Sequence, residues 1–422
     1  MRQNLKKMAL LGLGTIGGTG ANFFIQVYLA KVLTVVNFGI YTSIINLINL
    51  VTPIIAFGVT SFMLKVYSEE FEDARLWFKS IIKFLFLSSL VVLFFLQIWA
   101  YMSFREVYWV FIVILFFFHA LSLSLNSFTI LKLQLENNFY LLSIWQFLPN
   151  ILRLVLLLGI IFVYNKDFHF IGLAYFLTSL VVLSFSIKSI INLKKGDIEL
   201  YQSANTNTNT NTNTNTRGFF ELVKLSFPFG MAGIFYLIYY QIDIFLIALF
   251  LDYEKVAIYG VGLIFLTSSL LLPNLYYQKI CMPKLHYWNA NNRKLLLIFC
   301  NKNIYLNFII GVSLVLMVGG GLGFILKYIF NSKYDSSIYL YYLMISVIPI
   351  RLMAMHFGSI MSTGGLVGDK MRIMGWAAVF NIAFNLMLIP LIGIFGAAIS
   401  TILTEVFLLV LFQKKVKEFL RG

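Results

Sequence analysis

Residues 84–104 read FLFLSSLVVLFFLQIWAYMSF and contain no charged side chain. A helix of about 20 apolar residues, rising 1.5 Å per residue, crosses the roughly 30 Å hydrocarbon core of a bilayer. Over the whole chain 60% of residues are hydrophobic and 12% are charged, whereas a soluble domain has about 45–50% and about 25%. The sequence therefore predicts helices that span a membrane.

Apolar runs of this length recur along the chain, separated by charged or turn-rich breaks. They predict an all-α polytopic membrane protein with twelve transmembrane helices. The predicted helices lie near residues 9–30, 38–62, 80–102, 107–130, 140–163, 168–190, 226–250, 256–280, 303–326, 338–362, 372–392 and 395–413.

The basic residues predict the orientation of these helices. Of the 32 lysines and arginines, 24 fall on the side of the membrane that holds the amino terminus and 6 on the opposite side. Short cytoplasmic loops carry the excess of basic residues, so both termini are predicted to be cytoplasmic. The net charge of +15 is dispersed between apolar runs and not gathered on one surface, which excludes a nucleic-acid partner.

Residues 194–218 separate the sixth predicted helix from the seventh. Their central part, Asn205–Thr216, consists of six Asn-Thr pairs without an apolar residue, which predicts a disordered cytoplasmic linker. The linker divides the chain into an N-terminal lobe, residues 1–193, and a C-terminal lobe, residues 219–422, with six predicted helices each.

A short motif recurs in the two halves. NFGIY at residues 37–41 opens the second predicted helix, and KVAIY at residues 255–259 opens the eighth. Paired six-helix halves are a known transporter plan in which the cargo binds between the halves near the midplane. The sequence therefore favours two lobes around a central cavity.

Charges inside predicted helices are the strongest candidates for function, because a charge in the membrane interior is costly and usually faces a wet cavity or the bundle interior. Arg153 lies in the fifth predicted helix and Arg351 in the tenth. Guanidinium groups pair with phosphate oxygens, so both are candidates for a substrate cavity that takes a phosphate-bearing cargo. The alternative is that each arginine holds neighbouring helices together by donating hydrogen bonds to carbonyl groups or by pairing with an acid.

Asp243 and Glu405 are the acids within predicted helices. Each is a candidate for carrying a coupling proton or cation, and each is equally a candidate for the structural partner of an arginine. Lys31, Lys65 and Lys279 lie at predicted helix ends. There a lysine either lines a portal for an anionic head group or anchors its helix at the interface.

The remaining motifs predict packing and no chemistry. His119, His356, Cys281 and Cys300 have no second ligand at metal spacing, so we expect buried packing, no metal and no cofactor. Residues 12–17 match G-x-G-x-x-G, but they lie inside a predicted helix without a preceding strand, which favours close helix packing. No nucleophile elbow, H-E-x-x-H pair or Walker loop occurs in the sequence, so an enzyme is not expected.

The chain resembles the Wzx-type O-antigen and polysaccharide-unit flippases of the multidrug/oligosaccharidyl-lipid/polysaccharide (MOP) exporter superfamily. The resemblance extends over the whole chain except the Asn-Thr linker. It rests on the glycine-rich first helix and on the stretches at residues 36–41, 228–243, 256–260 and 282–285. Lipid II flippases, a related branch, carry arginines in the first helix, where this chain has only Lys31, so peptidoglycan precursor is not the first choice of cargo.

The resemblance implies two six-helix lobes that open a cationic cavity alternately to the two sides of the bacterial inner membrane. The implied cargo is an undecaprenyl-diphosphate-linked oligosaccharide repeat unit for O-antigen or related surface polysaccharide. Implied partners are this lipid-linked cargo, membrane lipids, a coupling H⁺ or Na⁺, and the glycan polymerase and chain-length machinery.

Two alternatives stay open from the residues themselves. A drug or small-molecule antiporter of the same superfamily would be expected to have an acid-lined cavity, which two arginines within helices disfavour. A membrane glycan polymerase or glycosyltransferase would need a catalytic cluster in a large water-facing loop, and none is visible.

Overall fold

In a computed structural model the chain is described over residues 2–69, 73–164, 168–197, 217–363 and 366–421. The secondary structure of these residues is helical, with no β-strand, which confirms the all-α prediction. The helices are α1 (Arg2–Val32), α2 (Val35–Ala56), α3 (Val59–Glu69), α4 (Phe78–Phe104), α5 (Val107–Leu135), α6 (Phe139–Tyr164), α7 (Phe168–Lys195), α8 (Phe219–Phe250), α9 (Tyr253–Ser269), α10 (Leu271–Leu275), α11 (Met282–Asn291), α12 (Arg293–Phe324), α13 (Ile338–Ile345), α14 (Ile348–Ile360), α15 (Val367–Ile392) and α16 (Ile394–Arg421).

Within the described ranges, ten helical segments are long and apolar enough to cross a membrane, and an eleventh counts if α9 and α10 form one bent span. This agrees with a polytopic membrane protein. The number twelve stays a prediction, since the first predicted span, residues 9–30, lies in α1, which is not among these segments.

The second predicted helix, residues 38–62, is interrupted. α2 ends at Ala56 and α3 begins at Val59. Gly58 has a φ of 73°, in the left-handed region that favours glycine, and Pro53 removes a backbone donor from the last turn of α2. Hydropathy does not predict this break, because the stretch is hydrophobic throughout and hydropathy does not depend on the backbone conformation.

The eighth and tenth predicted helices are also broken. α9 and α10 meet at 48°, and Pro273 lies in α10. α13 and α14 are separated by Ser346 and Val347, and Pro349 follows in the first turn of α14. Each proline lies in the first turn of the helix that follows the break, where it is accepted because the backbone N–H that it lacks would have no partner there.

The chain packs as two compact units. Unit 1 comprises Met1–Asn22 and Leu47–Ile234, and unit 2 comprises Phe23–Asn46 and Phe235–Gly422. In unit 1, α5 packs along α7, with α4 and α6 against them. In unit 2, α14 packs against α12 and α16, and α15 packs along α16.

These units differ from the predicted lobes at two places. Residues 23–46 belong to unit 2, and residues 219–234 belong to unit 1. The lobe assignment, 1–193 and 219–422, stays a prediction. Of the predicted linker, residues 198–216, which include the Asn-Thr pairs, lie outside the described residues.

The glycine-rich stretch of α1 forms the close helix contact that the sequence predicted. A Cβ at Gly14 would collide with Ser143 of α6, and one at Gly18 would collide with the carbonyl oxygen of Gln146. Between these glycines the Thr15 hydroxyl donates to Gln146 Oε1 at 2.9 Å. The G-x-G-x-x-G match therefore belongs to a helix interface in unit 1.

The recurring NFGIY and KVAIY segments also form a close contact, in unit 2. Gly39 of α2 lies so close to Tyr253, at the start of α9, that any Cβ would collide with its carbonyl oxygen. One turn further on, Gly260 lies against Thr42. This contact fixes the start of α9, which carries the fully buried Tyr259.

Candidate functional site

A cavity of about 230 Å³ lies within unit 2. Three of its lining side chains carry charge: Arg351, Lys370 and Glu405. The other lining residues are Tyr239, Asn274, Tyr277, Gln278, Met282, Ala354, Met355, Gly358, Ser359, Ser362, Met374, Leu408 and Phe412. The cavity thus combines charged and hydrogen-bonding groups with an apolar part that holds three methionines.

Arg351 and Glu405 form an ion pair in the wall of this cavity. Pro349 lies in the first turn of α14, and Arg351, two residues later, faces α16. The distance from Arg351 Nε to Glu405 Oε1 is 3.4 Å, and the two side chains are 8% and 1% exposed. The Tyr239 hydroxyl also donates to Glu405 Oε1, at 3.1 Å. Of the two intramembrane acids, Glu405 is therefore the one that meets an arginine.

Lys370 is a cavity residue that the sequence reasoning missed. Its Nζ donates to Ser362 Oγ at 2.6 Å. The eleventh predicted helix begins at residue 372, which leaves Lys370 in the preceding loop, whereas α15 begins at Val367. Lys370 lies in the first turn of α15 and lines the cavity. Hydropathy does not predict this orientation of its side chain.

Asp243 lies at the centre of a separate hydrogen-bonded cluster in unit 2. Tyr259 of α9 and Thr401 of α16 donate to Oδ2 at 2.7 Å and 2.5 Å, and Asn385 Nδ2 of α15 donates to Oδ1 at 2.7 Å. Among the described residues no basic side chain pairs with Asp243. Asn385 Oδ1 is buried without a hydrogen-bond partner. The cluster therefore holds a buried carboxylate beside an acceptor oxygen that lacks a donor.

Arg153 lies in unit 1, on α6. It is 5% exposed, and its Nη2 lies 3.3 Å from His119 Nδ1. Its guanidinium carbon lies 4.6 Å from the centre of the Tyr175 ring, a cation–π contact. Its Nε is buried without a hydrogen-bond partner, and no acid in the described part of the chain pairs with it. Arg153 and Arg351 thus have different surroundings, although both lie within helices.

The candidate lysines Lys31 and Lys65 belong to different units. Lys31 is exposed in unit 2, and its carbonyl oxygen accepts a hydrogen bond from Lys333 Nζ at 2.6 Å. Lys65 is exposed in unit 1. The side chain of Lys279 lies outside the described residues. Their roles as portal residues stay a prediction.

His356 has the packing role expected from the sequence. Its Nε2 lies 3.1 Å from the carbonyl oxygen of Cys300, and its Nδ1 lies 3.3 Å from the Tyr277 hydroxyl. Cys281 and Cys300 are both buried free thiols. In the ranges that the structure describes, no three His, Cys, Asp or Glu side chains are grouped to hold a metal ion.

Solved structures share this fold. The inward closed conformation of the lipid II flippase MurJ matches with a TM-score of 0.75 at 13% identity, over 97% of this chain and 87% of that chain. The inward-facing conformation of a multidrug resistance MATE family transporter of the MOP superfamily matches with a TM-score of 0.66 at 14% identity, over 98% and 94%. A MOP superfamily transporter from Pyrococcus furiosus, described with a binding pocket of reverse polarity, matches with a TM-score of 0.61 at 13% identity, over 99% and 97%.

The TM-scores and coverages establish the fold, and the proteins concerned are transporters and a flippase, not enzymes. No curated protein sequence matches the chain. A protein family described as "Polysaccharide biosynthesis protein" matches residues 4–278, which is more than half of the chain and includes Arg153 and Asp243. The family match and the shared fold confirm the predicted relationship to the MOP superfamily. The chain is a member of the polysaccharide biosynthesis protein family and has the MOP-superfamily fold.

Proposed function

We propose that the protein flips undecaprenyl-diphosphate-linked oligosaccharide repeat units across the bacterial inner membrane, for O-antigen or related surface polysaccharide. The observation that carries the proposal is membership of the polysaccharide biosynthesis protein family together with the fold of a flippase and of transporters. In this proposal the protein is a multi-pass inner-membrane protein with both termini in the cytoplasm.

The cavity of unit 2 supports a polar, anionic cargo. Its basic groups, Arg351 and Lys370, outnumber its one acid, Glu405. Carbohydrate recognition needs hydroxyl and amide groups beside an apolar surface, and the cavity provides both. The polyprenyl tail of such a cargo stays in the lipid, because only the glycan and diphosphate need a polar path.

Arg153 belongs to the proposal as a second cationic position. A buried guanidinium without an acid is costly unless a ligand or other groups satisfy it. Its unpartnered Nε supports contact with an anionic group at some stage of transport. The central cavity between two lobes, implied by the resemblance, stays a prediction, as do the portal roles of Lys31, Lys65 and Lys279.

Asp243 is the proposed coupling residue. Its carboxylate is buried among neutral donors and has no arginine partner in the described chain, unlike Glu405. A cation or a proton would neutralise it, and the free Asn385 Oδ1 would supply a further oxygen ligand. Hard monovalent and divalent cations prefer such oxygen ligands. Association with a glycan polymerase and chain-length proteins is a further part of the proposal.

An ion-coupled drug antiporter is the second candidate, since MATE transporters share the fold. The Arg351–Glu405 pair disfavours it, because pairing removes the negative charge that would attract a cationic drug. A membrane glycan polymerase is the third and weakest candidate, because the solved structures with this fold are not of enzymes.

The test is a deletion strain of the native host complemented with the wild-type gene or with Arg153→Ala, Arg351→Ala or Arg372→Ala at matched protein level. We expect the deletion to accumulate lipid-linked repeat units on the cytoplasmic face. The wild type and the control Arg372→Ala, whose side chain is 78% exposed, should release these units, and the other two variants should not.

Size-exclusion profiles and melting temperatures of the purified variants separate loss of transport from loss of fold. If deletion leaves surface glycan and lipid-linked intermediates unchanged in a host without a second exporter, the flippase proposal fails. Increased drug sensitivity of the same strain would then favour the antiporter.

A further inference from the structure

The net charge of the unit 2 cavity depends on Lys370. Arg351 and Glu405 lie 3.4 Å apart, so their charges compensate each other. The Tyr239 hydroxyl adds a hydrogen bond to the same carboxylate and makes the pair more stable. A cargo that binds Arg351 must therefore compete with Glu405, which lowers the affinity of this arginine for anions.

Lys370 has no such competitor. Among the described residues, its hydrogen-bond partner is the neutral Ser362 hydroxyl, at 2.6 Å. The acid next to it in sequence, Asp369, is engaged by Lys415 at 3.2 Å and by Arg372 at 3.6 Å. No carboxylate in the described ranges pairs with Lys370. An ammonium group has three donors, so two remain for a ligand in the cavity.

The surroundings of Lys370 fit a sugar that bears an acidic group. Ser359 and Ser362 line the cavity near the end of α14, and their hydroxyl oxygens can accept hydrogen bonds while they donate to the carbonyl oxygens of His356 and Gly358. Asn274 and Gln278 provide amide groups, which both donate and accept. Met374, one turn along α15 from Lys370, adds an apolar surface for a ring face.

We propose that Lys370 forms an oxyanion subsite in the unit 2 cavity, at which the cargo places a carboxylate or phosphate group. Ser362 positions the ammonium group, because its hydroxyl accepts from Lys370 Nζ and donates to the carbonyl oxygen of Gly358 at 3.0 Å. The inference rests on the proposed function, since it specifies which part of that cargo this cavity recognises. The oxyanion has two sources in a lipid-linked glycan, namely an acidic sugar of the repeat unit and the diphosphate of the carrier. Both present negatively charged oxygen atoms to the ammonium group.

The experiment measures binding of two matched probe pairs to the purified full-length protein in nanodiscs. Octyl glucuronide and octyl glucoside differ by a carboxylate, and farnesyl diphosphate and farnesol differ by the diphosphate. We expect the wild type to bind one anionic probe at least about tenfold more tightly than its neutral counterpart, since tenfold corresponds to one good charge-assisted contact. The pair that shows this preference identifies the source.

Lys370→Gln should reduce that preference to about twofold or less, because glutamine keeps a donor for Ser362 and removes the charge. Lys370→Arg should retain the preference, and so should the control Arg372→Ala, two residues away on the same helix and outside the cavity lining. Melting temperatures within the range of the wild type establish that each variant is folded.

The inference is overturned if Lys370→Gln keeps the anion preference, or if the wild type has none for either pair. These outcomes differ from failure of the proposed function, which is judged by accumulation of lipid-linked units in the deletion strain. If the strain requires the protein for glycan export but Lys370→Gln still prefers anions, the flippase proposal stands and the subsite proposal fails.

Discussion

Arg351 of α14 and Glu405 of α16 form a buried ion pair, with Nε and Oε1 3.4 Å apart, in the wall of the unit 2 cavity. Both side chains are nearly buried, with exposures of 8% and 1%. A buried pair is costly to break, because the remaining charge is left without a partner. The pair therefore ties together two helices of unit 2 and limits the charge that the cavity presents to a cargo.

Glu405→Ala is expected to lower the free energy of unfolding by about 3–5 kcal/mol, because it removes the carboxylate that compensates the buried charge of Arg351. The double variant Arg351→Gln/Glu405→Gln should recover most of this loss, since it removes both charges and keeps an acceptor for Tyr239. Thermal unfolding of the purified proteins, followed by tryptophan fluorescence, measures the effect. A double variant no more stable than Glu405→Ala would mean that the pair contributes through something other than charge compensation.

Asp243→Asn is expected to abolish the dependence of transport on an imposed H⁺ or Na⁺ gradient. The amide carries no charge, and its NH₂ group would face the Thr401 and Tyr259 hydroxyls that now donate to Oδ2. Transport by proteoliposomes with and without each gradient provides the measurement. The matched control is Asp252→Asn, at the exposed N-cap of α9, where asparagine caps as well as aspartate. If transport by Asp243→Asn still depends on the gradient, Asp243 is not the coupling residue.

Gly39→Ala is expected to destabilise the protein by about 1–3 kcal/mol, the range for overpacking of a close contact. The added Cβ would collide with the backbone of Tyr253, which cannot rotate away as a side chain can. Gly20→Ala serves as the control, because a Cβ there meets no atom within 4 Å and alanine favours a helix. Equal melting temperatures for the two variants would contradict the close contact between α2 and α9.

Changing the number of Asn-Thr pairs is expected to leave melting temperature and glycan export unchanged. The chain is held by unit 1 before and after this segment, since the Tyr67 hydroxyl donates to Leu193 O at 3.1 Å and Ser80 Oγ donates to Arg217 O at 2.7 Å. Variants with three and nine pairs, compared at matched protein level, provide the measurement. Loss of export with either length would show that the repeat has a function of its own.

The sequence by itself determined the membrane class and the helical fold, because these depend on the composition and spacing of apolar residues along the chain. The relationship to the family was visible as a resemblance of short stretches, such as residues 36–41 and 228–243. The length of a bilayer-spanning helix is a one-dimensional property, so the runs that include residues 84–104 are sufficient to predict it. Arg351, Glu405, Arg153 and Asp243 could be singled out for the same reason, since a charge within an apolar run is visible without any structure.

Only the tertiary structure decided which of these groups meet. Glu405 pairs with Arg351, whereas Asp243 is surrounded by neutral donors and Arg153 contacts His119 and Tyr175. Such pairings depend on how helices distant in sequence are rotated and packed, and one sequence does not encode them as a local pattern. Lys370 became visible as a cavity residue for the same reason, because the start of α15 and the position of Ser362 are set by packing and not by hydropathy.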